Sequence, residues 1–428
     1  MVSDEVTRRG TGDATERWWG VLARSRYLPR FIRGRARLRW MARVDERRVA
    51  GRDPGDNRDT RIPVGEQVLV PALWLTELYT PTTLDGLLSG LASLMARAGD
   101  QDPRRGDIVE WVKEARRQGG CSWRMLPNVW PAGTTPRSAN WITDDLPVGI
   151  TSLTWGIYTL TSTVTAVTAM FRVEERHAGE LQRIVNKDAS SQAVLLPGGS
   201  YTISDVRSQK QQAADRWREN LRADAARWLA RRLPGSFQDL APGQLPTIEL
   251  VLTERQHPWD ETIGHPAIAG WMQLLDLEDL EGYWQCTDIS WLRLRERQFH
   301  NWTRGQRHLY TLAGRRPDLL SGPPAAHSAA QRDALNEALH LLHLHIVPAA
   351  NRLALTALLD ELAEQLAATR DLAKQAAGKR SPRALAQIQQ QLISTGLDNQ
   401  IVADDIVRYA RDERSWLYEV LDFTQVLP

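Results

Sequence analysis

Apolar and polar positions alternate along the chain in two regimes, a mixed first three quarters and a helical last quarter. The stretch around Gln67–Tyr79 predicts a strand, and Thr80-Pro81-Thr82-Thr83 then opens a helix to about Arg97. Leu84, Leu87, Leu91 and Leu94 share one face of that helix. A second helix is expected over Asp107–Arg117, stopped by Gly119-Gly120. Between Asp145 and Arg172 no residue is charged, a run long enough for a membrane helix. Its threonines at 151, 154, 159, 161, 163, 165 and 168 favour pleated strands instead. Leu153, Trp155 and Ile157 fall on one side at period two, as do Val167, Ala169, Phe171 and Val173. The run therefore reads as a hairpin, residues 150–173, buried in a sheet.

A helix through Glu175–Val185 follows, then strands at 192–196 and 200–203 around Pro197-Gly198-Gly199. Ser204-Asp205 caps a long helix that Pro234-Gly235 ends, with Trp217, Leu221, Ala225 and Trp228 as its core stripe. Residues 246–254 and the stretch around Ile289–Leu294 are two more strands. The order resembles a split βαββαβ arrangement. After Ser321-Gly322-Pro323-Pro324 the pattern turns helical, over 328–346, 349–376, 382–395 and 398–424, with breaks at Pro348, Gly378 and Gly396. Leu355, Leu359, Leu362 and Leu366 have knobs-into-holes spacing. The expected fold class is α+β, a largely antiparallel sheet with helices packed on it, followed by a C-terminal antiparallel helical bundle. Three parts are expected: an Arg-rich N-terminal segment, 1–60; an α+β body, 61–320; and the bundle, 321–428.

Composition changes this picture only locally. The chain has 428 residues and a formal net charge of +2, so any attraction to polyanions must be regional. Two cysteines, Cys121 and Cys286, supply neither a disulfide framework nor a complete zinc site. With no apolar signal core at the N-terminus, a cytoplasmic setting is the economical reading. All but five of the 54 Lys and Arg residues are arginine, as in proteins from GC-rich bacterial genomes. The end at Val420–Pro428 lacks a polar taper, which leaves open a further anchor or effector segment.

Arginine is densest from Arg17 to Val44, a stretch without an acidic residue. Arg33, Arg35, Arg37 and Arg39 alternate with Gly34, Ala36, Leu38 and Trp40, which predicts a strand with one arginine face. With Trp40 and neighbouring aromatics, the segment suits nucleic acid or anionic lipid. Residues 51–60 read as a loop. A second candidate is the long segment 118–145, read as a loop, whose Trp123, Arg124, Asn128, Trp130 and Trp141 suit a base, a sugar or a peptide. A third is His257, Glu261 and His265, four apart and able to hold a divalent ion on one helix face, although Pro258, Gly264 and Pro266 interrupt the span. His340, His343 and His345 do not converge on one face and are expected at a helix surface or half-buried.

No Gly-x-x-x-x-Gly-Lys, Gly-x-Gly-x-x-Gly, Gly-x-Ser-x-Gly or His-Glu-x-x-His pattern occurs. No catalytic residue and no cofactor is therefore assigned. The expected function is non-catalytic binding of a partner or ligand, of sensor or scaffold type, with assembly or a protein partner through 328–424. A nucleic-acid-binding protein, an unrecognised metal-dependent enzyme and the soluble part of a membrane-anchored protein are the alternatives.

Overall fold

The structure is a computed structural model. It describes residues 18–98 except 26 and 28, 107–119, 122–135, 141–240, 244–258, 266–277, 283–285, 289, 291–297, 308–321 and 334–379, with scattered positions from 383 to 405. The chain forms two compact units, one from residues 1–64, 181–217 and 259–278, the other from 65–180, 218–258 and 279–428.

In chain order the strands are β1 (Val68–Tyr79), β2 (Ser122–Met125), β3 (Asn128–Pro131), β4 (Trp141–Asp144), β5 (Ile150–Thr159), β6 (Thr165–Val173), β7 (Gln192–Leu196), β8 (Ser200–Ser204), β9 (Thr247–Thr253), β10 (Tyr283–Gln285), β11 (Arg293–Glu296) and β12 (Leu309–Arg315). All but β7 and β8 lie in the larger unit, in one ten-stranded sheet of order β10-β11-β12-β9-β1-β6-β5-β3-β4, with β2 pairing β5. Pairs β9–β12 and β3–β4 are parallel and the remaining pairs antiparallel. The sheet is thus mixed and larger than a split βαββαβ unit. The protein is an α/β mixture with a long helix towards its C-terminus.

The uncharged threonine-laden run is the expected hairpin, β5 against β6, with Trp155 opposite Ala169. Its threonines bond across the sheet rather than to lipid: the Thr76 and Thr168 hydroxyls are 3.1 Å apart, and Thr168 donates to Asn351 Oδ1 at 2.7 Å. Strand β1 carries Pro71 in the middle of the sheet, where a proline removes a ladder bond. The register shifts between Leu69 and Ala72 at that point, a bulge that accommodates the missing N–H.

Side chains alternate across β1, so its two faces meet different helices. Ala72 and Trp74 join Met170, Leu250, Leu312 and the helix Ala334–Lys379 in one core. On the opposite face Phe171 and Trp155 surround Trp228 of the helix Val206–Arg232. Helix Leu84–Ala98 crosses the end of that helix through Gly86 and Gly90. A Cβ on Gly90 would lie 2.1 Å from the Arg232 carbonyl oxygen. Helix Ile108–Gln118 is capped as its sequence implies, Asp107 Oδ1 accepting from the Val109 and Glu110 amides and Gly119 closing it at φ +66°.

Three expectations fail in the larger unit. Segments 328–346 and 349–376 are one helix, Ala334–Lys379, which runs through Pro348. The bond Pro348 cannot make belongs to the carbonyl of Leu344, a residue that is itself exposed. Of the later expected helices, 382–395 and 398–424, only scattered positions from 383 to 405 are described, all of them helical, and the rest lies outside the described residues. Segment 118–145 is not a loop: it holds β2, β3 and β4, which extend the sheet beyond β5. His343, expected near the surface, is fully buried against Trp74.

The smaller unit packs helices around the β7–β8 hairpin. Residues 30–50, expected in part as a strand, form the helix Arg30–Ala50. Alternation in an Arg-Ala-Arg-Leu-Arg run mimics a strand, but those residue types are strong helix formers and their propensity wins. On the helix Arg33 and Arg37 follow one line and Arg35 and Arg39 another, so the single arginine face does not exist. The expected loop 51–60 contains the helix Asp53–Asp59, with Pro54 in its first turn where its missing N–H costs nothing. The helix expected over 175–185 is two short ones, Glu175–Ala178, which belongs to the larger unit, and Glu180–Asn186.

Polar bonds tie this unit together. Asp53 accepts from the Ser191 amide and hydroxyl at 2.9 and 2.6 Å. Asn57 exchanges bonds with the Ala189 backbone at 2.9 and 2.8 Å. The ammonium of buried Lys210 donates to Thr60 Oγ1 at 2.9 Å, and burial lowers its pKa.

Candidate functional site

The cavity that brings charged groups onto the sheet lies in the larger unit beside the last turns of helix Val206–Arg232. It has a volume of about 620 Å³. Glu77 of β1, Phe237 and Leu245 form its buried floor, residues 145–148 one wall, and Asp224, Arg227, Ala230 and Arg231 of the helix the other. Positions 224, 227 and 231 are three and four apart, so one helical stripe supplies both charges to the mouth.

Glu77 stands on the face of β1 that also carries Leu73, Leu75 and Tyr79, in an otherwise apolar strand. Its Oε1 accepts from the Leu78 amide at 3.0 Å and from the Phe237 amide at 2.9 Å. Gly235 makes the second bond possible, because a Cβ there would sit 2.4 Å from the Glu77 side chain. Two residues on, the Tyr79 hydroxyl donates to the Leu233 carbonyl at 2.7 Å, and burial followed by the Glu77 charge raises its pKa well above the ordinary value. Arg232 pairs with Asp144 at 2.5 Å and lies over the Trp228 ring at 4.1 Å, while Trp228 donates to the Asp145 carbonyl at 2.9 Å. These contacts fix the 145–148 wall to the helix. Arg227 pairs with Asp224 at the mouth. The lining thus offers a fixed carboxylate acceptor inside and guanidinium groups outside, an arrangement that orients a charged ligand by its two ends.

Sequence reasoning passed over Glu77. Its signal was present: a single acidic residue within Val68-Leu-Val-Pro-Ala-Leu-Trp-Leu-Thr-Glu-Leu-Tyr79, where an isolated charge is costly unless it has a purpose.

The three sequence candidates lie elsewhere. Trp130 and Trp141 come together, stacked at 4.6 Å on the parallel pair β3–β4, where Asn128 is opposite Trp141. Trp123 and Arg124 sit on β2, opposite Tyr158 and Ile157, whereas Val129 of β3 meets β5 at Leu153. The five residues therefore occupy two stations along β5, and none lines the Glu77 cavity. His257 is exposed, with Nδ1 3.9 Å from Asp318 Oδ2, and Asp318 is held by Arg315 at 2.7 and 2.8 Å. Glu261 and His265 lie outside the described residues, among which no three His, Cys, Asp or Glu side chains group around a possible metal. Arg33, Arg35, Arg37, Arg39 and Trp40 lie on helix Arg30–Ala50, with Arg39 over the Trp19 ring at 4.7 Å and Arg24 over Trp40 at 5.8 Å.

Among the described residues one helix, Ala334–Lys374, is long and apolar enough to cross a membrane, and 72% of its most apolar window is buried within the protein. No protein family, no curated protein and no solved structure matches the chain.

Proposed function

We propose that the protein is a non-catalytic ligand-binding protein of the sensor type, and that its ligand is a small zwitterion of the amino-acid class held in the Glu77 cavity. The observation that carries this reading is the Glu77 carboxylate, buried on a central strand and aimed by two backbone amides at the floor of a cavity with arginines at its mouth. A buried carboxylate so fixed favours an ammonium or guanidinium group, since a charge-assisted bond in a dry site is stronger than one in water. Arg231 and Arg227 then favour the ligand's carboxylate. The volume suits a molecule of a few to about twenty heavy atoms. The ligand would bridge β1, the 145–148 wall and helix Val206–Arg232, and so bind best when all three are in register, which is what a sensor requires.

Titration calorimetry of the full chain against the common amino acids tests this. Saturable binding of at least one amine is expected, weakened about ten- to a hundredfold in Glu77→Gln, the loss of one charge-assisted bond. The amide side chain of that variant keeps an acceptor oxygen for the Leu78 and Phe237 backbone N–H groups, so the fold should persist. No binding by any amine, or binding indifferent to Glu77→Gln in a folded protein, would discard the reading.

A further inference from the structure

The helix Arg30–Ala50 carries eight arginines against Asp45 and Glu46, a formal +6 in a chain whose whole charge is +2. The excess is therefore regional and not a by-product of arginine-rich composition. Arg43 pairs with Glu46 at 3.1 Å. Among the described residues Arg35, Arg37 and Arg48 enter no ion pair and are exposed.

Those charges border apolar side chains that water reaches. Arg37, Met41, Val44 and Arg48 are four, three and four apart, one stripe of the helix, and Met41 and Val44 are 40% and 39% exposed. Tyr27 and Phe31 precede them, almost fully and two-thirds exposed. The β7–β8 hairpin packs on the opposite side of the helix, where Arg39, Ala42, Arg43 and Glu46 lie beside Ser191 and Leu195, and leaves this stripe uncovered.

We infer that this surface docks on an anionic lipid bilayer. Charge complementarity selects an anionic partner. The apolar residues of the stripe select a bilayer among anionic partners: Met41 and Val44 gain by leaving water for the headgroup–acyl boundary, whereas a phosphate backbone offers them nothing. Aromatic side chains are suited to that boundary, and arginine stems span it with the guanidinium groups at the phosphates.

Flotation of the full chain with phosphatidylcholine vesicles, with and without phosphatidylglycerol, is the test. Binding is expected to the anionic vesicles alone and to fall with salt. Replacing Arg37 and Arg48 by Gln should weaken it about thirtyfold. The pair Met41→Ser and Val44→Ser should weaken it about tenfold while leaving the weaker binding to duplex DNA unchanged. No vesicle binding, equal binding to neutral vesicles, or DNA binding tighter than vesicle binding and indifferent to the Met41 and Val44 replacements would overturn the inference. The vesicle comparison with the unsubstituted protein decides the matter even should a variant misfold.

Discussion

At the scale of single residues, His343 shows what burial does to a titratable group. Trp74 Nε1–H donates to its Nδ1 at 3.0 Å, which leaves the ring neutral with its proton on Nε2. Burial in the core, followed by the charge of His340, pushes its pKa down to about 3. The folded value lies below the unfolded value of about 6.5, so the unfolded chain takes up the proton first. The stability contribution is accordingly whole above about pH 6.5 and declines by about 1.4 kcal/mol per pH unit as the pH falls towards 3. His343→Gln keeps an acceptor for Trp74 and removes the titration. Urea midpoints measured from about pH 7 to pH 4 should therefore fall less steeply in the variant than in the parent. Parallel slopes would show that His343 is not the acid-sensitive group. Glu77 is the counterpart on the other face of β1, a polar group whose bonds to two amides offset its burial.

At the scale of elements, the glycines separate packing from propensity. Gly86 and Gly90 lie one turn apart on helix Leu84–Ala98 and let its backbone approach the carbonyls of Pro234 and Arg232. Gly90→Ala must displace that contact and should cost about 1–3 kcal/mol in urea denaturation, as overpacking does. Gly34 is also inside a helix but has nothing within 4 Å of the position its Cβ would take. Gly34→Ala should therefore stabilise by up to about 1 kcal/mol, the helix propensity alone. The same two influences decide which elements can be read from the sequence. Strands β1, β5, β6 and β9 are legible because their nearly continuous apolar and β-branched runs agree with burial on both faces. Helix Arg30–Ala50 reads as a strand because arginine is both polar and helix-forming, so its alternation with Ala and Leu carries no face information. Pro348 reads as a break, although tertiary packing on the sheet holds the helix through it. Strands β2 to β4 stay hidden because four-residue strands are too short for a period to register. The Glu77 cavity cannot be assembled from the sequence at all, since its lining comes from four segments joined only by the fold.

At the scale of the whole molecule, helix Arg30–Ala50 and the β7–β8 hairpin bury little apolar surface whereas the sheet of the larger unit buries much, and this sets the order in which they should open. The larger unit buries long apolar strands on both faces, with Trp74, Trp155, Trp228 and Phe171 fully covered. Each such side chain contributes about 2–3 kcal/mol by leaving water. In the smaller unit the buried residues of helix Arg30–Ala50 are Ala36 and Ala42, and the contacts around it rest on polar bonds such as Asp53–Ser191 and Asn57–Ala189. A net hydrogen bond is worth about 1 kcal/mol, because water competes for the same groups. Regions with few buried apolar contacts open at lower free energy than the global transition. Amides of helix Arg30–Ala50 and of β7–β8 should therefore exchange with deuterium sooner than those of β1, β5 and β6. Hydrogen-exchange mass spectrometry reads this directly, and Asp53→Ala should accelerate the first group while leaving the second untouched. Equal protection of the two groups, or a matching acceleration of β1 in that variant, would mean that the units share one cooperative transition. A separately yielding unit around the arginine helix also bears on docking. Anionic vesicles should slow exchange in Arg30–Ala50 and β7–β8 without altering β1, because binding to the folded form alone raises its opening free energy.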